Sequence, residues 1–183
     1  MIFLLRSNIA IALMKTTNLS LVLTGIALLH GVSLCQPASA QTVEGLVVNV
    51  ADGDTVQVTS AGKLLRIRLA CIDAPEMGQK PYGKNAADYL SQLLPPNTRV
   101  TLQLVDTDRL NRSVALVYQG KRLINLAMVG AGQAVVYPKY LDRCPQQKTS
   151  LLQSEATAKQ NRLGFWNQPN PLMPWNYRHS RGK

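Results

Sequence analysis

The order of patterns along this 183-residue chain predicts a mixed α+β fold that is mainly β. In this fold a small five-stranded barrel carries about three helices. Three strand-like segments come first, with short connections between them. A helical pattern separates the third segment from the fourth, and two further helical patterns follow the fifth. No internal repeat interrupts this order.

The first three predicted strands are consecutive and cover residues 43–50, 54–60 and 64–72. A tight turn at Asp52-Gly53-Asp54 joins the first two, because Asp-Gly between apolar runs is a common hairpin signal. In the third strand, apolar residues alternate with Arg66 and Arg68, so period-two geometry places both guanidinium groups on one face.

The remaining predicted strands cover residues 99–105 and 112–118. The predicted helices cover residues 82–94, 123–131 and 150–163, and each is followed by proline or glycine, which end helices. This order of strands and helices fits an OB-fold, a five-stranded Greek-key barrel with helices packed on it.

The amino-terminal 40 residues predict a secretory signal peptide. They contain Arg6 and Lys15 but no acidic residue, then a mainly apolar run at 19–34, and end in Ala38-Ser39-Ala40. This pattern indicates removal of residues 1–40, with Met1 and Met14 both possible starts, and a secreted or periplasmic protein without stable membrane association. A retained membrane anchor is the less favoured alternative, because the run is short and interrupted.

Residues 41–166 have the length of one domain, and residues 167–183 are rich in proline and basic side chains. We expect a tail without regular structure there, because Pro169, Pro171 and Pro174 oppose it. Within the tail, Trp175 is expected to pack on the barrel. Basic residues there could instead attract nucleic acid nonspecifically; these are Arg178, Arg181 and Lys183.

The chain is strongly basic, with 20 lysines and arginines against 10 acidic residues. A basic surface attracts polyanions. Nucleic acid fits this charge, but a heparin-like or membrane surface would be attracted equally well, so the charge alone does not identify the partner.

Two cysteines, Cys71 and Cys144, lie beyond the predicted signal peptide. In an oxidising compartment a pair of cysteines favours a disulfide. Cys71 lies in an apolar strand, however, and a buried free thiol is an equal alternative. Zinc binding is not expected, since no C-x-x-C spacing is present and His179 is the one histidine beyond residue 40.

Acidic residues flank the third predicted strand, with Asp54 before it and Asp73 and Glu76 in the loop after it. Oxygen ligands without nearby histidine or thiolate pairs favour a hard cation, and we expect calcium. The spacing is not that of an EF-hand, since the twelfth position counted from Asp52 is Lys63. Taken alone, the Asp-Gly turn is more simply explained as a hairpin.

Two runs lie close together here, V-x-x-V-x-D-G-D-T from Val47 and R-L-A-C-I-D-A-P-E from Arg68. Together they resemble the staphylococcal nuclease (thermonuclease) family. The resemblance extends over residues 43–166 and includes the segment 108–115, Leu123-Ile124-Asn125 and Gly164-Phe165-Trp166.

The resemblance implies a calcium site and a phosphate site. Calcium would be bound by Asp54, Asp73 and the backbone carbonyl of Ala74, with Asp52 supporting the ligands. Glu76 would act on the attacking water, and the phosphate-binding arginines would be Arg68 and Arg112. The implied reaction is hydrolysis of DNA or RNA that leaves 3′-phosphate ends, by an enzyme we expect to be monomeric.

The main departure from the family pattern is Leu110-Asn111-Arg112, where many relatives have Tyr-Gly-Arg. Asparagine is the non-glycine residue most willing to adopt positive φ, so we expect the turn to survive. Tyr137 or Tyr140 could supply the aromatic contact that Leu110 lacks. Two other functions remain: an OB-fold module that binds single-stranded nucleic acid without cutting it, and a basic envelope protein.

Overall fold

Five strands close into a barrel in the computed structural model, which describes residues 41–181. The strands in chain order are β1 (Thr42–Asp52), β2 (Thr55–Ser60), β3 (Lys63–Leu69), β4 (Ile72–Asp73), β5 (Arg99–Thr107), β6 (Ser113–Gln119), β7 (Arg122–Leu123) and β8 (Val135–Val136). The barrel order is β3-β2-β1-β5-β6, and a parallel pairing of β3 with β6 closes it. The predicted five-stranded α+β barrel is therefore confirmed.

The closure of the barrel determines where the charged residues meet. Arg68 on β3 lies opposite Thr55 of β2 on one side and Val114 of β6 on the other. Thr55 follows Asp54, and Val114 comes two residues after Arg112. Strand register therefore brings three segments that are distant in sequence to one end of the barrel.

The barrel interior is filled by alternate apolar residues, as period-two geometry requires. On β2 and β3 these include Val56, Val58, Ile67 and Leu69, all of them fully buried. Arg66, which precedes Ile67 on β3, is exposed. The alternation predicted for the third strand is confirmed.

Helices cover the barrel: α1 (Tyr82–Leu93), α2 (Ile124–Gly130), α3 (Lys148–Gln160) and α4 (Pro174–Arg181), with 3₁₀ turns at Pro138–Arg143 and Gly164–Asn167. Gly132 and Gly164 follow α2 and α3 with φ of 65° and 49°. A Cβ on either glycine would overlap the carbonyl of the other segment, so the two chain segments touch there. Phe165, in the second of these turns, is 1% exposed and belongs to the core.

A buried asparagine ties α2 to the barrel. The Asn125 side-chain amide donates to the carbonyls of Ala70 (2.9 Å) and Ala115 (3.3 Å), and its oxygen accepts from the Val117 amide (2.9 Å). Because every polar group of this buried side chain has a partner, the contact stabilises the barrel end near the charged residues.

Three predictions about the helices and strands need correction. The third predicted helix, at residues 150–163, is found at Lys148–Gln160 and so ends three residues earlier. The third strand ends at Leu69 and not at residue 72, because Cys71 adopts φ of 64° and turns the chain. The tail was expected to lack regular structure, yet Pro174–Arg181 is a helix. Pro174 is its first residue, where a missing N–H costs nothing.

The predicted signal peptide at residues 1–40 and Lys183 lie outside the described residues. Within residues 41–181, no helix has both the length and the apolar character needed to cross a bilayer.

Candidate active site

A cleft of about 940 Å³ opens at the end of the barrel where β3 meets β2 and β6. Its walls come from the β1–β2 turn, the loop after β4, the β5–β6 turn, the Pro138–Arg143 segment and α4. Four of the predicted site side chains line it, namely Asp54, Arg68, Glu76 and Arg112. Asp52 and Ala74 line it as well.

Asp54 is buried in the turn between β1 and β2 and is held by four contacts. Its Oδ1 accepts from Arg68 Nη1 (2.9 Å) and from the Thr55 hydroxyl (3.1 Å). Its Oδ2 accepts from the backbone amide of Ala74 (3.0 Å). Asp52 supports the turn, since its Oδ1 accepts from the Asp54 amide at 3.0 Å.

Arg68 joins two carboxylates that come from different loops. Besides Asp54, it bonds Asp73, with 2.6 Å between Nη2 and Oδ1. Burial alone would lower the pKa of Arg68, but the charges of Asp54 and Asp73 outweigh burial and raise it. Arg68 therefore stays protonated between the two acids.

Asp73 lies behind the cleft and is fully buried. Burial raises the pKa of Asp73 above its ordinary value, although hydrogen bonds from Arg178 oppose the shift. Because Arg68 and Arg178 both bind its carboxylate, Asp73 is linked to the cleft through two guanidinium groups.

Glu76 lies on the loop between β4 and α1, where the backbone is tightly constrained. Its amide donates to the Gln79 side-chain oxygen (2.9 Å), and its carbonyl accepts from the Gln79 amide (2.7 Å). A Cβ at Gly83 would overlap the Glu76 carbonyl, so only glycine lets α1 approach this loop. The Glu76 carboxylate bonds Arg178 Nη1 at 2.5 Å.

Arg112 does not contact the acidic residues predicted to bind metal. Its guanidinium pairs with Asp108, with 2.8 Å from Nε to Oδ2, and donates to the Thr55 hydroxyl at 3.2 Å. Thr55 in turn donates to Asp54, so one hydroxyl connects Arg112 to the acidic cluster. Burial alone would raise the pKa of Asp108, but hydrogen bonds from Arg112 outweigh burial and lower it.

The turn before Arg112 has the predicted backbone. Asn111 adopts φ of 56°, so the expectation that asparagine replaces glycine in a left-handed conformation is confirmed. Leu110 is 68% exposed at the cleft edge.

Sequence reasoning missed Arg178, Asp108 and Thr55 as members of this site. Asp108 carried a usable signal, since it precedes Arg112 by four residues in a turn. Arg178 carried less, because it lies in a segment we expected to be irregular. The tail was expected either to pack through Trp175 or to attract nucleic acid nonspecifically. Neither prediction included the contacts of Arg178 with Asp73 and Glu76.

Aromatic rings form the wall beside the acidic cluster. Tyr137 stacks on Trp175, with ring centroids 5.1 Å apart and planes at 2°, and meets Tyr140 edge to face at 5.0 Å. The prediction that Trp175 packs on the barrel domain is confirmed. Trp175 covers one face of Tyr137, and Lys139 and Arg143 lie over the Tyr140 ring at 5.5 and 5.4 Å.

Cys71 and Cys144 form a disulfide with Cα atoms 6.4 Å apart. The Cys71 carbonyl also accepts from the Tyr137 amide at 2.9 Å. The loop that carries Asp73 is therefore fixed to the aromatic wall.

The donor set fits a hard divalent cation in chemical type, since Asp54, Asp73, Glu76 and the Ala74 carbonyl offer oxygen alone. Within residues 41–181, no three acidic, histidine or cysteine side chains are grouped as a metal site. The reason is visible in the contacts, because Arg68 lies between Asp54 and Asp73 and Arg178 between Asp73 and Glu76.

The family of this chain follows from its similarity to known proteins. The family model described as "Staphylococcal nuclease homologue" matches residues 66–168. An Escherichia coli O157:H7 protein described as an uncharacterized endonuclease is 37% identical over 146 residues, which cover 79% of this chain and 91% of that protein.

Two other relatives have similar coverage. A Haemophilus influenzae protein described as an uncharacterized endonuclease is 36% identical over 133 residues, covering 72% of this chain and 71% of that protein. A Shigella flexneri protein described as micrococcal nuclease is 34% identical over 147 residues, covering 74% and 80%. By the family match and these identities, the chain belongs to the staphylococcal nuclease homologue family.

Proposed function

We propose that this protein is a calcium-dependent nuclease that hydrolyses phosphodiester bonds in DNA or RNA and leaves 3′-phosphate ends. Its family is one of nucleases, and the protein is a phosphodiesterase. The observation that carries the proposal is the bonding of Arg68 to both Asp54 and Asp73 at the head of the cleft. That contact unites a hard-cation donor set with a phosphate-binding side chain.

Calcium, bound by Asp54, Asp73 and the Ala74 carbonyl, would supply positive charge against a non-bridging phosphate oxygen. Arg68 and Arg112 neutralise the charge that gathers on the phosphorus, because a planar guanidinium binds two oxygens at once and stays protonated. Asp108 holds the Arg112 fork in place for this role.

In this proposal Glu76 orients and deprotonates the attacking water. Its Oε1 is bonded to Arg178, and within residues 41–181 its Oε2 has no hydrogen-bond donor. Oε2 can therefore accept a proton from a water molecule in line with the scissile bond.

The test is incubation of the purified protein with labelled single-stranded DNA and RNA, with calcium and with a chelator. We expect cleavage in the presence of calcium and no cleavage in the presence of the chelator. Mass spectrometry of the products should identify a 3′ phosphate. Arg68→Ala should lower turnover by about 100-fold or more, the scale seen when one transition-state donor is removed.

Arg66→Ala is the matched control, because Arg66 lies on the same strand but is exposed and does not line the cleft. We expect near-normal turnover from it. Near-normal turnover of folded Arg68→Ala would refute the assignment. Binding without divalent-dependent cleavage would instead support the alternative, a non-catalytic OB-fold module for single-stranded nucleic acid.

We further propose that the enzyme acts as a secreted or periplasmic monomer after removal of residues 1–40. The alanine-rich end of that segment and the Cys71–Cys144 disulfide support an oxidising compartment. Amino-terminal sequencing of the exported protein should find Gln41 first, and size-exclusion chromatography should give the mass of one chain.

A further inference from the structure

Arg178 enters the cleft from the carboxyl-terminal helix α4, 105 residues away from Asp73 in sequence. Its fork bonds both oxygens of the Asp73 carboxylate, at 3.1 Å from Nη1 and 2.8 Å from Nη2. The same Nη1 donates to Glu76 at 2.5 Å. The side chain is 38% exposed, so it also reaches solvent in the cleft.

The helix that carries Arg178 is docked by several independent contacts. Trp175 stacks on Tyr137, and the Tyr177 hydroxyl lies against Gly78, where a Cβ would overlap it. Just before the helix, the Leu172 carbonyl accepts from the Gln79 side chain at 2.7 Å. These contacts hold α4 against the loop that bears Glu76, so the position of Arg178 is built into the fold.

Arg178 and Arg68 converge on one oxygen atom. Asp73 Oδ1 accepts from Arg68 Nη2 at 2.6 Å and from Arg178 Nη1 at 3.1 Å. A phosphate group that Arg68 binds is therefore within reach of Arg178. Both arginines share Asp73 and each bonds one further carboxylate, Asp54 for Arg68 and Glu76 for Arg178.

We propose that Arg178 is a third phosphate-binding arginine of the active site, contacting the phosphodiester beside Arg68; this proposal rests on the proposed nuclease function. Three of its five N–H donors are used by Asp73 and Glu76, and within residues 41–181 those on Nε and the second position of Nη2 are not bonded. These two donors are the ones available to phosphate oxygens.

The charges around the cleft also favour a phosphate-binding role for Arg178. Asp54, Asp73 and Glu76 would repel a phosphodiester, and the guanidinium groups bonded to these three carboxylates are those of Arg68 and Arg178. Arg178 adds a second positive charge beside them without leaving the acidic residues, because each carboxylate oxygen has two lone pairs.

Binding and turnover test the proposal separately. The binding probe is a fluorescent single-stranded oligothymidylate in the presence of a chelator, with affinity measured by anisotropy across a range of salt concentrations. Loss of one phosphate contact reduces the slope of log affinity against log salt by about 0.7. We expect that reduction for Arg178→Gln.

The control is Arg122→Gln, which removes the same charge from an exposed residue that does not line the cleft. Its salt slope should remain that of the wild type. With calcium, Arg178→Gln should lower kcat/KM by about tenfold or more, and Arg122→Gln should leave it unchanged.

Two results would overturn the proposal. One is a salt slope for Arg178→Gln equal to that of Arg122→Gln. The other is a higher turnover of Arg178→Gln than of the wild type, which would mean that Arg178 only blocks Asp73 and Glu76. If Arg178→Gln does not fold, Arg178→Lys keeps the charge beside Asp73 but lacks the fork. Its kcat/KM should fall several-fold at an unchanged melting temperature, and full activity would count against the proposal.

Failure of the nuclease proposal has a different signature. In that case the wild type would not cleave with calcium, whereas the salt slope measured in chelator would still report on Arg178.

Discussion

The disulfide between Cys71 and Cys144 makes a quantitative prediction about stability. It closes a loop with a sequence separation of 73 residues. The chain-entropy relation for a loop of that length gives a stabilisation of about 4.4 kcal/mol at 25 °C, because the crosslink restricts the unfolded chain. A domain of this size has an unfolding entropy of about 0.3 kcal/mol/K, so loss of the crosslink should lower the melting temperature by about 15 °C.

The perturbation is the double variant Cys71→Ala/Cys144→Ala, compared with the wild type by thermal and urea unfolding. Dithiothreitol should lower the melting temperature of the wild type and leave the double variant unchanged, which separates the crosslink from the packing of the two side chains. The reasoning fails if reductant has no effect on the wild type, or if both thiols can be alkylated without reduction.

Two further predictions concern single side chains. The lowered pKa of Asp108 means that its pairing with Arg112 stabilises the fold fully above the ordinary aspartate value of 3.8 and that this contribution is lost as pH falls through the folded pKa. Asp108→Asn should therefore lower the free energy of unfolding at pH 7 by about 1 kcal/mol and flatten the dependence of that free energy on pH below 4. Urea unfolding at several pH values measures both effects. A pH profile equal to that of the wild type would contradict this account. Asn125→Ala should cost about 3 kcal/mol because it leaves the Val117 amide and the Ala70 carbonyl buried without a partner, and a loss below about 1 kcal/mol in the same assay would contradict that account.

Much of the fold follows from short-range patterns. Alternating apolar residues predicted the barrel strands, and glycine or proline marked the ends of the helices. The strand boundary near Cys71 was not predictable in this way, because a positive φ at a non-glycine residue carries no periodic signal. The helix at Pro174–Arg181 was missed because three prolines suggested irregular structure, although proline is well tolerated at a helix start.

The sequence by itself determined which acidic and basic residues could form a site, because Asp54, Arg68, Asp73 and Glu76 lie within one short stretch and resemble a known motif. Only the tertiary structure decided which groups touch. It brought Arg178 onto Asp73 and joined Arg112 to Asp54 through Thr55. The physical reason is distance along the chain: periodicity reports on neighbours a few residues apart, whereas these contacts depend on barrel closure and on the docking of α4.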